Sequence, residues 1–334
     1  MPKKNILVTV LGAGNMGTAL ANIIANNGFV VKLWNYEGDL EPLEQIKKTR
    51  ENKKYLPGIK LSNNIEIEKN LSAAVNDSSV IFFAVPSAFV GNLTKKVSTQ
   101  LTKKTVCVNV SKGLDEKNLL TISEVMSRNL PAHSQKNITV ISGPAVATDM
   151  AKNYFTAMNI AGEKLAIKLT KKVLENDNLR LIKNEDTIGT EIAGSLKNVY
   201  TIAIGLCDCY GYPMNTKAAL FVSAIKEMSL LIKKMGGHKN TAFDLAGLGD
   251  LVGTAMSEKS RNRRFGVCLP KYLNKDKATK AVGQTVEGVE TSKTMLALAK
   301  KYKVKMPLAK TIYDIIWMKN DPDLALKKFL KNIS

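Results

Sequence analysis

Residues 188–201 read IGTEIAGSLKNVYT, a stretch in which one lysine stands among small side chains. Ile192, Leu196, Val199 and Ala203 recur at three- and four-residue steps, so one stripe of a helix can face a core. Lys197 lies on another stripe, with Ala193, Gly194 and Thr201 as its neighbours one turn away. These leave room for a ligand to reach the ammonium, and Asn198 adds an amide donor and acceptor. Taken alone, the same residues fit a surface lysine on an amphipathic helix. Two further stretches carry chemistry. Ala246 to Thr254, AGLGDLVGT, surrounds Asp250 with glycines, as a loop would where backbone approaches a ligand and a carboxylate is aimed. Ser260 to Gly266, SRNRRFG, collects three arginines, a serine and an asparagine, a set that can grip a phosphate through a bidentate guanidinium or can be a solvated basic turn.

Near the start, an apolar run from Ile6 to Leu11 passes into Gly12-Ala13-Gly14-Asn15-Met16-Gly17, then a helical run to Asn27, then a second strand from Phe29 to Trp34. Strand, G-x-G-x-x-G, helix and strand in this order form the dinucleotide-binding context. Gly12 permits the tight turn, Gly14 lets backbone approach a pyrophosphate, and Gly17 lets helix and strand pack closely. The helix start supplies amides and a positive dipole end. The second strand closes on Trp34-Asn35-Tyr36-Glu37 with no arginine directly after it, which leans toward NAD over NADP, although Lys47, Lys48 and Arg50 stand in the next helix.

Further buried-strand runs are Val80–Val85, Thr105–Val110 and Ile138–Ile141. The second of these leads to Ser111-Lys112-Gly113, where a lysine at a strand's end can face a ligand or simply sit in a loop. The third leads to Ser142-Gly143-Pro144-Ala145, a turn that can open a helix with proline first. Residues 156–184 alternate between strand and helix character. From Thr187 the periodicity is helical, with helices expected at 188–207, 216–235, 287–302, 308–318 and 322–332. Residues 1–187 therefore form one expected domain and 188–334 another.

Composition narrows the class. The chain is 45% hydrophobic, enough for a sizeable core. No run is long or apolar enough to span a membrane. The opening MPKKNILVTV has no secretory h-region, and the final KNIS carries no retention signal, so a cytoplasmic location is expected. Cys107, Cys207, Cys209 and Cys268 stand outside metal motifs, and only His133 and His238 are present, so no metal is expected. The net charge of +20 comes from scattered lysine pairs without interleaved aromatics, which argues for a field that attracts small anions and against nucleic acid as partner.

Taken together the motifs resemble the bacterial type of NAD(P)-dependent glycerol-3-phosphate dehydrogenase. The resemblance covers nearly the whole chain: GAGNMGTALA at 12–21, VPS at 85–87, SKGL at 111–114, ISGP at 141–144, GSLKNV at 194–199, AGLGDL at 246–251, SRNRRFG at 260–266 and GQTVEG at 283–288, in order. It implies a doubly wound, mostly parallel α/β Rossmann domain followed by an all-α domain. It implies NAD or NADP as cofactor, reduction of dihydroxyacetone phosphate to glycerol 3-phosphate, and a supply of that product for phospholipid synthesis. It implies Lys197 as proton donor and acceptor, with Lys112 and Asp250 beside the reacting carbonyl. Ser260, Arg261 and Asn262 would hold the substrate phosphate, with Asn198 and the Gly143 backbone nearby. Asn15, Met16, Trp34, Lys112, Ala147, Arg261 and Glu287 would line the cofactor beside the glycines. A homodimer is the expected assembly. Where the family usually has a hydroxyl residue and then phenylalanine after GP, this chain has Ala145-Val146, so one polar contact near the substrate is missing. A free lysine titrates near 10.4, too high for efficient proton exchange at neutral pH. Burial and the charge of Lys112 should lower Lys197, and Asp250 should oppose them.

Overall fold

In the computed structural model, residues 6–333 are described. Met1–Asn5 and Ser334, which enter the targeting-segment and domain-limit expectations, lie outside them. The chain divides into two compact units: Met1–Ser111 with Ile122–Thr187, and Lys112–Thr121 with Ile188–Ser334. Residues 112–121, assigned above to the first domain, thus belong to the second unit.

The first unit is built on β1 (Leu7–Leu11), β2 (Val30–Trp34), β3 (Ile65–Ile67), β4 (Val80–Phe83) and β5 (Val106–Asn109). After the two-residue strands β6 (Leu114–Asp115) and β7 (Leu120–Thr121), which pair as a hairpin in the second unit, come β8 (Ile138–Ser142), β9 (Thr156–Gly162) and β10 (Leu179–Lys183). The sheet order is β10-β9-β8-β5-β4-β1-β2-β3. Pairing is parallel throughout except between β8 and β9, so β9 and β10 run against the other six. This is a doubly wound α/β sheet, and β3 is a short edge strand that the apolar runs did not reveal.

Both faces are covered, which is why the strands read as continuous apolar runs. Val80 and Phe82 enter one core, Ile81 and Phe83 the other, by the two-residue alternation of a strand. Thr9, the polar residue within β1, is satisfied by the Ala74 carbonyl at 2.6 Å and Ser78 Oγ at 2.7 Å. The helix Asn15–Asn26 follows β1 after the three-residue turn Gly12–Gly14 and so takes in the end of the glycine motif. After β8, no helix opens at Pro144. The chain bends at Gly143-Pro144, Val146 is extended, and a five-residue helix runs from Ala147 to Ala151.

The second unit is helical apart from the β6–β7 hairpin. Its helices are Thr187–Cys209, Met214–Lys234, Asp250–Ala255, Arg261–Tyr272, Lys275–Val282, Glu287–Lys301, Pro307–Trp317 and Pro322–Lys331. Every residue from Gly189 to Cys207 is buried, so the first of these is the unit's central rod. One expectation fails here. The glycine-rich stretch before Asp250 is a π-helical turn, Leu245–Gly249, running straight into the next helix. Gly247 fits because a Cβ there would stand 2.1 Å from the Ala242 carbonyl oxygen. Of the two readings of residues 260–266, the basic turn is excluded: Ser260 is the N-cap of a helix that begins at Arg261. No helix among the described residues is long and apolar enough to cross a membrane.

Candidate functional site

Lys197 sits at the middle of the central helix, 5% exposed. An ammonium so deeply placed needs partners. Its Nζ lies 3.0 Å from Asp250 Oδ1 and donates to Thr254 Oγ1 at 2.5 Å. Thr254 donates in turn to the same Asp250 oxygen at 3.0 Å, which the four-residue step along one helix allows. The other oxygen, Oδ2, accepts from Lys112 Nζ at 2.5 Å. One buried carboxylate therefore spans two lysines that are far apart in sequence.

Lys112 reaches this point because its neighbour is anchored. The Ser195 hydroxyl lies 3.0 Å from the Gly113 carbonyl oxygen and 2.8 Å from that of Glu191. Leu114, the first residue of β6, enters the helical core. Asp250 is aimed by the π turn, whose first amide, Leu245 N, donates to Asp244 Oδ1 at 2.7 Å.

The electrostatics follow from this geometry. Burial is the largest influence on Lys197 and pushes it down to about 8; the charge of Lys112 adds to the lowering, and Asp250 opposes it. Those are the directions expected from the sequence. Burial pushes the Asp250 carboxyl up, but the charges and hydrogen bonds of both lysines outweigh it and hold the group below the usual carboxylate range.

The helix Arg261–Tyr272 crosses the central rod at two glycines. A Cβ on Gly205 would stand 2.1 Å from the Arg263 carbonyl oxygen, and one on Gly266 would stand 2.2 Å from that of Ile202. The close approach sets the start of this helix beside Asn198. There Asn262 Nδ2 donates to Asn198 Oδ1 at 2.9 Å, and Gly288 N donates to Asn262 Oδ1 at 2.9 Å. Asn198 Nδ2 lies 3.5 Å from Glu287 Oε2. These amides join three helices, and a Cβ on Gly288 would collide with Asn198 O at 2.6 Å. The Asn198 and Asn262 side chains, expected among substrate contacts, are thus engaged with protein partners.

The arginine cluster separates likewise. Arg263 Nε pairs with Asp208 at 2.5 Å, and Arg264 Nη2 donates to the Val282 carbonyl at 3.0 Å. Ser260 caps the helix, its Oγ accepting from Arg263 N at 3.3 Å. Arg261 is exposed and has no hydrogen bond or ion pair among the described residues. Its charge, with those of Lys197 and Lys112, opposes the upward push that burial gives the Glu287 carboxyl. Thr254, Gly205 and Asp208 went unrecognised as supports. The four-residue spacing from Asp250 to Thr254 was the available signal for the first.

In the sheet-bearing unit, the glycine turn meets the demands of a dinucleotide. Gly12 has φ +112°, and a Cβ there would stand 2.6 Å from the Ala84 carbonyl oxygen at the end of β4. A Cβ on Gly17 would stand 1.8 Å from the Gly12 carbonyl oxygen, so helix and turn pack at glycine-only distance. Gly14 faces open space, with nothing within 4 Å of an added Cβ, and it precedes a helix whose start has no side-chain cap. Bare amides beside open space, at the point where strand order reverses, suit a pyrophosphate. Asn15 is exposed at this helix start, and Met16 and Ala147 meet in one small apolar cluster with Ala19 and Leu56. The Trp34 side chain enters the core instead, its Nε1 donating to the Lys69 carbonyl at 3.1 Å; what it presents to the turn is its own carbonyl, which accepts from Gly12 N at 2.8 Å. Gly143 at the end of β8 is held against Met158, whose Cα would be 2.8 Å from a Cβ, and Ala145 packs on the core. Glu287 and Arg261 belong to the helical unit, apart in sequence from this turn.

Comparison with known proteins adds an independent line. Residues 7–168 match the family model described as the NAD-dependent glycerol-3-phosphate dehydrogenase N-terminus, and residues 186–327 match that of its C-terminus. The chain is 38% identical over 324 residues to glycerol-3-phosphate dehydrogenase [NAD(P)+] of Bacillus subtilis (strain 168), covering 97% of this chain and 93% of that one. It is 34% identical to the protein of the same name from Fusobacterium nucleatum, covering 97% and 96%. The crystal structure of glycerol-3-phosphate dehydrogenase from Coxiella burnetii superposes with a TM-score of 0.92 at 34% identity, over 98% of this chain and 99% of that one. A ketopantoate reductase from Ralstonia eutropha JMP134 shares the fold alone, with a TM-score of 0.60 at 12% identity over 97% and 99% of the two chains.

Proposed function

The chain belongs to the family of NAD-dependent glycerol-3-phosphate dehydrogenases, and from that membership we propose that it reduces dihydroxyacetone phosphate reversibly to sn-glycerol 3-phosphate. The observation that carries the reading is the shared carboxylate of Asp250, which holds Lys197 and Lys112 at one point. Bound NAD(P)H supplies the hydride for the carbonyl carbon. Residues 1–187 hold it, through Gly12, Gly14 and Gly17 with Asn15, Met16 and Ala147 beside them, and residues 188–334 carry the proton chemistry together with Lys112.

Reduction builds negative charge on the carbonyl oxygen. Lys197 donates the proton to that oxygen, and with a value of about 8 it is mostly charged at neutral pH yet can release the proton. Lys112 stabilises the developing charge more than the neutral ground state. Asp250 orients both ammonium groups, and Thr254 steadies Lys197. Arg261 grips the phosphate with its uncommitted guanidinium, joined by the hydroxyl of Ser260 at the capped helix start. Asn198 and Asn262 position that helix start from beneath.

The proposal extends to a cytoplasmic enzyme whose product feeds glycerophospholipid synthesis. A homodimer is its assembly; Val222, Leu230 and Phe243, each more than half exposed, offer apolar surface for association. The test is the loss of nicotinamide absorbance when purified protein meets dihydroxyacetone phosphate with NADH or NADPH. Rapid oxidation that depends on the phosphorylated ketone is expected. No oxidation from protein that still binds the nucleotide would overturn the substrate.

A further inference from the structure

The glycine turn of the sheet-bearing unit is bonded directly to the end of β2. Gly12 N donates to the Trp34 carbonyl at 2.8 Å, and Ala13 N donates to Asn35 Oδ1 at 3.1 Å. Asn35 Nδ2 donates in turn to the Asp39 carbonyl at 2.6 Å and closes the loop between them. In a doubly wound fold this corner receives the adenosine ribose, and a 2′-phosphate there needs a cation.

Three of the nearby cations, Lys54, Arg50 and Lys69, are held by protein partners. From Asn35 to Ile46 the chain has four acidic residues and no lysine or arginine. Glu37 is exposed, with no hydrogen bond or ion pair among the described residues. Lys54 is the cation drawn to the loop, and its Nζ lies 2.8 Å from Asp39 Oδ1 and 2.9 Å from Glu41 Oε2. The second Asp39 oxygen accepts from Tyr55 at 2.7 Å. Arg50 donates to the carbonyls of Ile65 and Ser62, and Lys69 pairs with Glu44. Lys47 and Lys48 occupy the last turn of the helix Glu41–Thr49, about 9 Å along the axis from Glu41.

We propose that this corner makes the protein selective for NADH over NADPH, with Asp39 and Glu41 keeping Lys54 from serving a 2′-phosphate. The inference rests on the dinucleotide role proposed above. Glu37, Asp39 and Glu41 against Lys54 leave two uncompensated negative charges, and a 2′-phosphate would bring about two more. The corner is solvent-exposed, so the repulsion is screened by salt.

The test is titration of the full-length protein with NADH and with NADPH, without substrate, by calorimetry. NADPH should bind about tenfold more weakly at low ionic strength, and the gap should narrow as salt is added. Glu41→Gln releases one of the two carboxylates on Lys54 and should tighten NADPH about two- to fivefold. Glu41 is largely exposed, so folding of the variant is not at issue. Equal or tighter binding of NADPH by the unmodified protein overturns the selectivity, and a gap unchanged at high salt overturns its electrostatic cause. If ketone-phosphate turnover persists in either case, the proposed reaction stands. If neither nucleotide binds, the dinucleotide reading falls together with this one.

Discussion

The Nζ of Lys197 lies 3.0 Å from Oδ1 of Asp250, a carboxylate whose other oxygen is 2.5 Å from Lys112 Nζ. The ammonium is therefore buried but not isolated, and its acidity is a balance of named neighbours. Asp250→Asn removes the influence that raises Lys197 and leaves the lowering by burial and Lys112. In the proposed reaction ketone reduction uses protonated Lys197, so its rate should fall as pH rises through about 8; the reverse oxidation should rise through the same range. In Asp250→Asn both limbs should move to lower pH, with kcat down about 10²-fold or more. A pH–rate profile in both directions checks this, and limbs left in place would remove Asp250 from the balance.

Lys197→Ala should abolish turnover while leaving NADH binding nearly intact, because the glycine turn belongs to the other unit. General acid–base groups contribute about 10²–10⁴-fold. A variant that keeps more than about a tenth of the rate would end the assignment of Lys197 as proton donor.

Arg261→Ala should raise KM for dihydroxyacetone phosphate about tenfold or more, since a charged, bidentate partner is lost. Turnover of unphosphorylated dihydroxyacetone, however slow, should change little. If NADH affinity alone moved, the phosphate role would pass to other groups.

Gly266→Ala should destabilise the helical unit, because the new Cβ would meet the Ile202 carbonyl at 2.2 Å and the backbones must separate. Overpacking of this kind costs about 1–3 kcal/mol. Thermal unfolding should show a lowered Tm. Activity should fall further than stability, since the start of that helix carries Arg261.

Glu227 is buried, and burial pushes its carboxyl up to about 7, although Leu308 N, Ala309 N and Tyr200 Oη all donate to it. A raised value in the folded state means that the stability this group contributes is full below the unfolded value, near 4.5, and is lost as pH rises through 7. Glu227→Gln keeps the shape without the titration. The Tm difference between the original and this variant should therefore shrink as pH goes from about 5 to 8, measured by calorimetry at both ends. A constant difference would show that Glu227 titrates normally.

Much of the arrangement was legible in the sequence. Gly12, Gly14 and Gly17 between two apolar runs are a local signal, because a turn, a close approach and a helix start each depend on residues adjacent in the chain. Lys197 among small residues on a helical stripe is local in the same sense. The π turn before Asp250 was misread, since glycines that fit a tight helical passage under Ala242 are the same glycines that make a flexible loop.

What the sequence by itself determined was the passage from a strand-rich to a helical half, the glycine turn and the residue types able to move a proton or bind a phosphate. Side-chain spacing along a helix or strand is set within a few residues, so it survives without knowledge of the fold. Only the tertiary structure decided which charges meet. Asp250 stands 53 positions after Lys197 and 138 after Lys112, and no pattern in the chain announces that its two oxygens divide between them. The same holds for the arginines. Arg263 is taken by Asp208 and Arg264 by a carbonyl, leaving Arg261 exposed, because helix periodicity points each to a different side and the packed neighbours decide what it meets. Long-range electrostatics depends on distances in space, and those exist only once the helices have packed.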